Sequence, residues 1–248
     1  MRVSLVQIWL VVAALLVAVH SALSFWLQAG PVLTVFGNVT QCAMLVALVL
    51  ALGRNGFTTR GSTRVFWLLM LGGGVLWLAT QALWTYYEVY LGHEVPNPFV
   101  GDVVIFLHIV PMMGALALRP HRHGERPLRL GLLDFSLLLF WWIFLYMFVV
   151  IPWQYVHFDE GPYGFNFNVL YDAEKVAFLA GVGIFWLRSS GHWKRVYFHL
   201  FLAAAVYELA SHAINVAIDQ DRYYTGSYFD VLLVLAMAWF VGAALVAH

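Results

Sequence analysis

Ionisable side chains occur inside long apolar stretches of this sequence, where a charge is energetically expensive. Asp172 and Lys175 are three positions apart, and Glu208 and His212 are four apart, so each pair lies on one face of a helix. Two interpretations follow. Such groups can line an outward-facing pocket that binds a small ligand or senses pH, or they can hold helices together by hydrogen bonds alone.

Other polar residues also lie inside apolar stretches, nearly all of them in the half that the charge pattern described below places toward the outside of a membrane. The candidate pocket residues are Glu208, His212, Asp172, Lys175, Glu88, Asp102, His108, Gln81 and Asp230. The three aspartates stand near the start of an apolar stretch, where a carboxylate is favoured by the free N–H groups and the dipole of a helix. Capping is therefore the main expectation for them, and convergence on one outward-facing cavity is the functional alternative.

Ten histidines raise the question of a bound metal or haem. The single cysteine, Cys42, excludes an internal disulfide and a zinc site built on cysteines. Glu208 and His212 alone are too few ligands for a metal. We predict no cofactor, and the alternative is a haem held between His212 and either His20 or His108.

Sequence signatures of catalysis are missing from the chain. It has no phosphate-binding glycine-rich loop, no H-E-x-x-H and no G-x-S-x-G. A basic stripe with interleaved aromatic residues, which would suggest nucleic acid, is also missing. We expect a protein without catalytic residues and without a nucleic-acid partner.

The elements that must position these side chains are membrane helices. Hydrophobic residues make up 62% of the chain and charged residues 10%, against roughly 45–50% and roughly 25% in soluble domains. A lipid bilayer must therefore cover part of the surface, and a crossing helix needs roughly 20 apolar residues. We predict one all-α domain, 1–248, a polytopic bundle of eight transmembrane helices built as tandem hairpins. The predicted spans are 4–27, 31–52, 64–91, 98–118, 130–152, 168–187, 193–218 and 227–248.

Charge is segregated between the two sides of this eight-span arrangement. Of the 13 basic residues, eleven fall on one side: Arg2, Arg54, Arg60, Arg64, Arg119, Arg122, Arg126, Arg129, Arg188, Lys194 and Arg195. Of the 13 acidic residues, eleven fall on the other: Glu88, Glu94, Asp102, Asp159, Glu160, Asp172, Glu174, Glu208, Asp219, Asp221 and Asp230. Since short basic loops stay in the cytoplasm, both termini are expected there.

The third and fourth spans carry a recognisable pattern. Its elements in 83–118 are Tyr87-Glu88, Gly92, Pro96-Asn97-Pro98, Gly101-Asp102 and Pro111. This segment resembles a multi-span sensor region found N-terminal to GGDEF diguanylate cyclases and sensor histidine kinases in bacteria. Segments 132–152 and 223–245 resemble the family's next and last spans. The sixth span departs from the pattern, because Asp172, Glu174 and Lys175 make it more charged.

The resemblance implies a sensory input module of the bacterial inner membrane. Such a module detects a periplasmic or outer-leaflet signal and passes a helix movement to a cytoplasmic signalling domain, commonly in a homodimer. The last span reaches His248 without the basic residues that usually follow an inward-running helix, so we expect a longer parent protein. The alternatives are a small secondary transporter that uses the carboxylates and Lys175, and a haem-bearing electron carrier.

Overall fold

The computed structural model describes residues 4–96, 98–121, 128–156 and 160–247, and these form a helical bundle without strands. The helices are α1 (Leu5–Trp26), α2 (Pro31–Thr58), α3 (Gly61–Thr85), α4 (Gly101–Leu107), α5 (Ile109–Ala117), α6 (Leu128–Val149), α7 (Glu160–Arg188), α8 (Gly191–Asp219) and α9 (Asp230–Val246). Two π-helical turns, Tyr86–Leu91 and Pro152–Val156, follow α3 and α6. Several residues used in the sequence predictions lie outside the described residues: Arg2, Asn97, Arg122, Arg126, Asp159 and His248.

The prediction of an all-α bundle with membrane-length helices is confirmed. Among the described residues, five helical stretches are long and apolar enough to cross a membrane, by length and composition: Leu5–Trp26, Pro31–Thr58, Gly61–Leu91, Gly131–Val149 and Gly191–Asp219. Two shorter helical stretches, Gly101–Ala117 and Asp230–Val246, are also apolar. These properties indicate a membrane protein. The count of eight crossings stays a prediction.

Helix α2 continues to Thr58, beyond the end of the predicted span 31–52. Glycines are tolerated there by close helix packing: a Cβ on Gly56 would lie 2.8 Å from Leu68 Cδ2 of α3. The Asn55 side chain donates a hydrogen bond to the carbonyl of Ala244, at 2.7 Å. Tertiary contacts with α3 and α9 therefore outweigh the low helix propensity of the glycines.

The fourth predicted span is broken in the middle, at His108, into α4 and α5. Pro111 has no N–H to donate to the carbonyl four residues earlier, so the regular helix is interrupted there. The break packs on a glycine of α3: a Cβ on Gly73 would lie 2.6 Å from Met112 Cγ. Small residues at this contact let the two backbones approach closely.

Helix α9 is held between α1, α2 and α8. Trp9 Nε1 of α1 donates to the carbonyl of Ala238 at 2.9 Å, and Asn55 of α2 binds the carbonyl of Ala244. By contrast, α1 and α6 expose many large apolar side chains. These exposed surfaces are what lipid would cover.

Candidate functional site

Helices α7 and α8 bring two of the predicted pairs together. Asp172 and Lys175 lie on the face of α7 that packs on α8, and Glu208, Ser211 and His212 lie on the facing side of α8. The i, i+3 and i, i+4 spacings create the two faces, and helix packing joins them. We call these five residues the ionic cluster.

Lys175 is the centre of the ionic cluster. Its Nζ lies 2.8 Å from Asp172 Oδ1, 2.6 Å from Ser211 Oγ and 3.3 Å from Glu208 Oε2. The Lys175 side chain is only 2% exposed, and its ammonium also lies 4.3 Å from the ring centroid of Tyr171. A buried ammonium needs such compensation, because leaving water is costly for a charge.

His212 forms the exposed end of the ionic cluster. Its Nδ1 lies 3.2 Å from Asp172 Oδ2, and its side chain is 64% exposed. Asp172 thus joins an exposed imidazole to a buried ammonium.

Beside the ionic cluster lie three residues that the predicted pocket left out. The hydroxyl groups of Tyr171 and Tyr207 are 2.5 Å apart and buried. Glu174 is buried as well, and neither of its carboxyl oxygens has a hydrogen-bond partner among the described residues. A sequence signal existed for the tyrosines: Tyr171 is four residues before Lys175, and Tyr207 is four before Ser211, so they extend the same helix faces.

Gln81 and Glu88 belong to a second group, centred on Asn38 of α2. Asn38 Nδ2 donates to Glu88 Oε2 at 2.7 Å, and its Oδ1 accepts from Gln81 Nε2 at 3.2 Å and from Thr85 Oγ1 at 2.9 Å. Thr225 Oγ1 donates to Glu88 Oε1 at 2.8 Å. We call these five residues the Asn38 network. It connects α2 and α3 to the loop between α8 and α9.

Asp230, the first residue of α9, binds two residues of that loop next to the Asn38 network. It accepts hydrogen bonds from the Gly226 backbone N–H at 2.7 Å and from the Tyr223 hydroxyl at 3.1 Å. Burial, and then the negative charge of Asp230, raise the pKa of Tyr223 well above its usual range, so its hydroxyl remains a donor. The loop also touches α2, because a Cβ on Gly37 would lie 2.8 Å from Gly226 Cα.

Asp102 takes part in neither group. It accepts from the Phe99 N–H at 3.1 Å and from the Tyr163 hydroxyl. Asp102 and Asp230 thus each bind a backbone N–H just before their own helix, whereas Asp172 binds Lys175 and His212. The three aspartates share no hydrogen-bond partner among the described residues.

The three histidines considered for haem have different surroundings. His20 is buried 5.5 Å from the Phe36 ring, and neither of its ring nitrogens has a hydrogen-bond partner among the described residues. His108 Nδ1 contacts the carbonyl of Ile105, and its ring lies 5.3 Å from Trp77. His212 instead contacts Asp172. In the described part of the chain, no three His, Cys, Asp or Glu side chains are grouped so that they could hold a metal ion.

The described residues thus contain two separate polar groups. The ionic cluster joins α7 to α8 and has an exposed end, whereas the Asn38 network joins α2 and α3 to the α8–α9 loop. The ionic cluster has the charge and the access that ligand or proton binding requires. Comparisons of the chain with protein-family models, with curated proteins and with solved structures find no match.

Proposed function

We propose that the chain is a membrane-embedded sensory input module whose signal is received at the ionic cluster. The observation that carries the proposal is the placement of Lys175 between a carboxylate of its own helix and a carboxylate of α8, with His212 exposed beside it. Ligand binding at His212 or Asp172 changes the charge balance that holds α7 against α8. A change at one end of the cluster is thereby converted into a change in helix packing.

For the topology we propose eight crossings, both termini in the cytoplasm and residence in a bacterial inner membrane. The segregation of basic and acidic residues supports this orientation. Helix α7 has too many charges to count as apolar by composition, but its 29 residues correspond to about 43 Å at roughly 1.5 Å per residue. That length exceeds the roughly 30 Å of a bilayer core.

The signal is proposed to leave through α8 and α9. Helix α8 carries Glu208, Ser211 and His212, and a short loop leads from it to α9. That loop is tied to α1 by a 2.6 Å bond from Ser24 Oγ to the Gly226 carbonyl, and to Glu88 by Thr225. Because these hydrogen bonds hold the loop in place, a shift of α8 is passed on to α9. We propose that α9 leads to a cytoplasmic histidine kinase or diguanylate cyclase domain and that the protein works as a homodimer.

The test is to measure signalling output, with the chain joined at its C-terminal end to a cytoplasmic output domain. We expect Glu208→Gln and Asp172→Asn to change that output without changing membrane insertion. Asp219→Asn is the matched control, since Asp219 is an exposed carboxylate on the same helix as Glu208. If output in both cluster variants equals that of the control, the ionic cluster is not the signal site.

A secondary transporter is the second candidate, and Glu174 is the observation that favours it. A buried carboxyl group without a hydrogen-bond partner among the described residues is the kind of group that couples proton movement to transport. Proton-driven uptake of a solute into proteoliposomes that is lost in Glu174→Gln would favour this function over sensing.

A haem carrier is the third candidate. His20 is buried with both ring nitrogens unpartnered in the described part of the chain, and a Soret band in the purified protein would favour this function.

A further inference from the structure

A cavity of about 80 Å³ lies at the C-terminal end of α7, away from the ionic cluster. It is lined by Arg119, His121, Phe185 and Arg188. Arg119 follows Leu118, the C-cap residue of α5, and Arg188 is the last residue of α7, so the cavity lies between two helix ends. We call it the arginine cavity. Its volume is several times the roughly 10–15 Å³ that a single water needs.

The arginine cavity carries positive charge with nothing observed to neutralise it. Both arginine side chains are exposed, and neither has a hydrogen bond or ion pair to any residue in the described ranges. The dipoles of α5 and α7 favour a cation at each helix end, but they leave the guanidinium N–H donors without acceptors. Two arginines that line one cavity create a positive potential there, which attracts an anion.

The walls of the arginine cavity are held in place by aromatic packing. His121 Nδ1 lies 3.0 Å from the Tyr197 hydroxyl, and the His121 ring lies 5.3 Å from the Phe185 ring. Tyr197 itself is buried, and it also packs 5.6 Å from Phe185. These contacts fix the aromatic wall of the cavity before a ligand binds.

Arg119 also has an unfavourable backbone conformation. Its φ of 46° lies in the left-handed region, at the position after a helix where glycine is the usual residue. An arginine there lowers stability relative to glycine. Local strain of this kind is characteristic of functional positions, and here the strained residue lines the cavity.

We propose that the arginine cavity binds a phosphate group. Guanidinium groups match the oxygens of phosphate with paired N–H donors and lose less hydration than an ammonium does. The phosphate belongs either to an anionic phospholipid of the adjoining leaflet or to a small solute. Exposed apolar residues beside Arg188, with Leu187 72% exposed, favour the lipid, because acyl chains would cover them. This inference does not depend on the sensory function.

The experiment uses the full chain, purified and delipidated in detergent, with binding measured by native mass spectrometry. Phosphatidylglycerol is titrated against phosphatidylcholine, and inorganic phosphate is added as a competitor in a second arm. We expect the wild-type protein to prefer phosphatidylglycerol and the Arg119→Gln/Arg188→Gln variant to bind it about tenfold more weakly or worse, as expected for loss of charged hydrogen bonds. Displacement by millimolar inorganic phosphate would assign the site to a solute phosphate, and its failure to displace would assign it to the lipid.

The matched control is Arg54→Gln/Arg60→Gln, which removes the same charge from two exposed arginines on the same predicted side of the membrane. Equal weakening in both double variants would mean that only the general positive surface matters, and the proposal would be overturned. It would also be overturned if the wild type bound neither phosphatidylglycerol above phosphatidylcholine nor phosphate. A second double variant, Arg119→Lys/Arg188→Lys, keeps both positive charges, so it separates the role of the guanidinium groups from a loss of charge or of folding. We expect this variant to show intermediate binding, because lysine cannot form paired N–H bonds.

Discussion

The ammonium of Lys175 lies 2.8 Å from Asp172 on its own helix and 3.3 Å from Glu208 on the next. One buried cation is thus shared by two carboxylates that belong to different helices. Because Asp172 also contacts the exposed His212, the buried charge is connected to the surface by a single side chain. Both the stability of the α7–α8 pair and the proposed sensing depend on this arrangement.

Lys175→Met is expected to destabilise the protein by about 3–5 kcal/mol, since it leaves two partly buried carboxylates without their cation. The measurement is denaturant unfolding of the purified protein in detergent. Lys194→Met removes an exposed lysine from α8 and serves as the control, with an expected change below about 1 kcal/mol. Equal effects of the two substitutions would show that Lys175 contributes no more than a surface charge.

Gly37→Ala is expected to lower stability by about 1–3 kcal/mol, because its Cβ would lie 2.8 Å from the backbone of Gly226. Backbone atoms cannot rotate away as a side chain can. Gly72→Ala is the control in another helix, since its Cβ would meet only Pro111 Cβ, at 3.8 Å. The control should be neutral or slightly stabilising, as alanine favours helix. Thermal unfolding of both variants compares them, and a tolerated Gly37→Ala would contradict the close approach of α2 and the loop.

Tyr223 is expected to make stability fall at alkaline pH. The pKa of Tyr223 is raised well above 10.0 in the folded protein, so the folded state keeps the proton at a pH where the unfolded chain loses it. The stabilisation is therefore complete below about pH 10 and is lost as the pH rises further. Unfolding measured at several pH values between about 8 and 11 tests this. Tyr223→Phe should show a weaker alkaline loss than the wild type, and parallel pH curves would refute the assignment.

Arg119→Gly is expected to stabilise the protein by about 1 kcal/mol while weakening phosphate binding, because glycine adopts the left-handed conformation without a steric penalty. Asp221→Gly is the control, since Asp221 has a φ of 52° at a distance in sequence from the arginine cavity. The control should gain some stability and keep phosphate binding. Thermal unfolding and the lipid titration measure the two effects separately. Lower stability in Arg119→Gly would show that the arginine makes contacts that outweigh its strain.

Much of the local organisation was predictable because it depends on spacing along one helix. The apolar stretches predicted helices, and the i, i+3 spacing predicted that Asp172 and Lys175 share a helix face, where the structure shows them in contact. The outer position of Glu88 and Gln81 also suggested polar contacts, but their partner, Asn38, is 50 and 43 residues away. Nothing in the local pattern specifies such a partner.

From the sequence alone came the helical class, the apolar composition of the spans and the faces that carry Asp172, Lys175, Glu208 and His212, because hydropathy and helical periodicity are local properties. The tertiary structure alone decided that these two faces meet, that Asp102 and Asp230 bind elsewhere and that Arg119 and Arg188 share a cavity. It also continued α2 through Gly53 and Gly56, beyond the end of the predicted span 31–52. The physical reason is that contacts between helices depend on the rotation and packing of each helix against its neighbours, which residues far apart in the chain determine together.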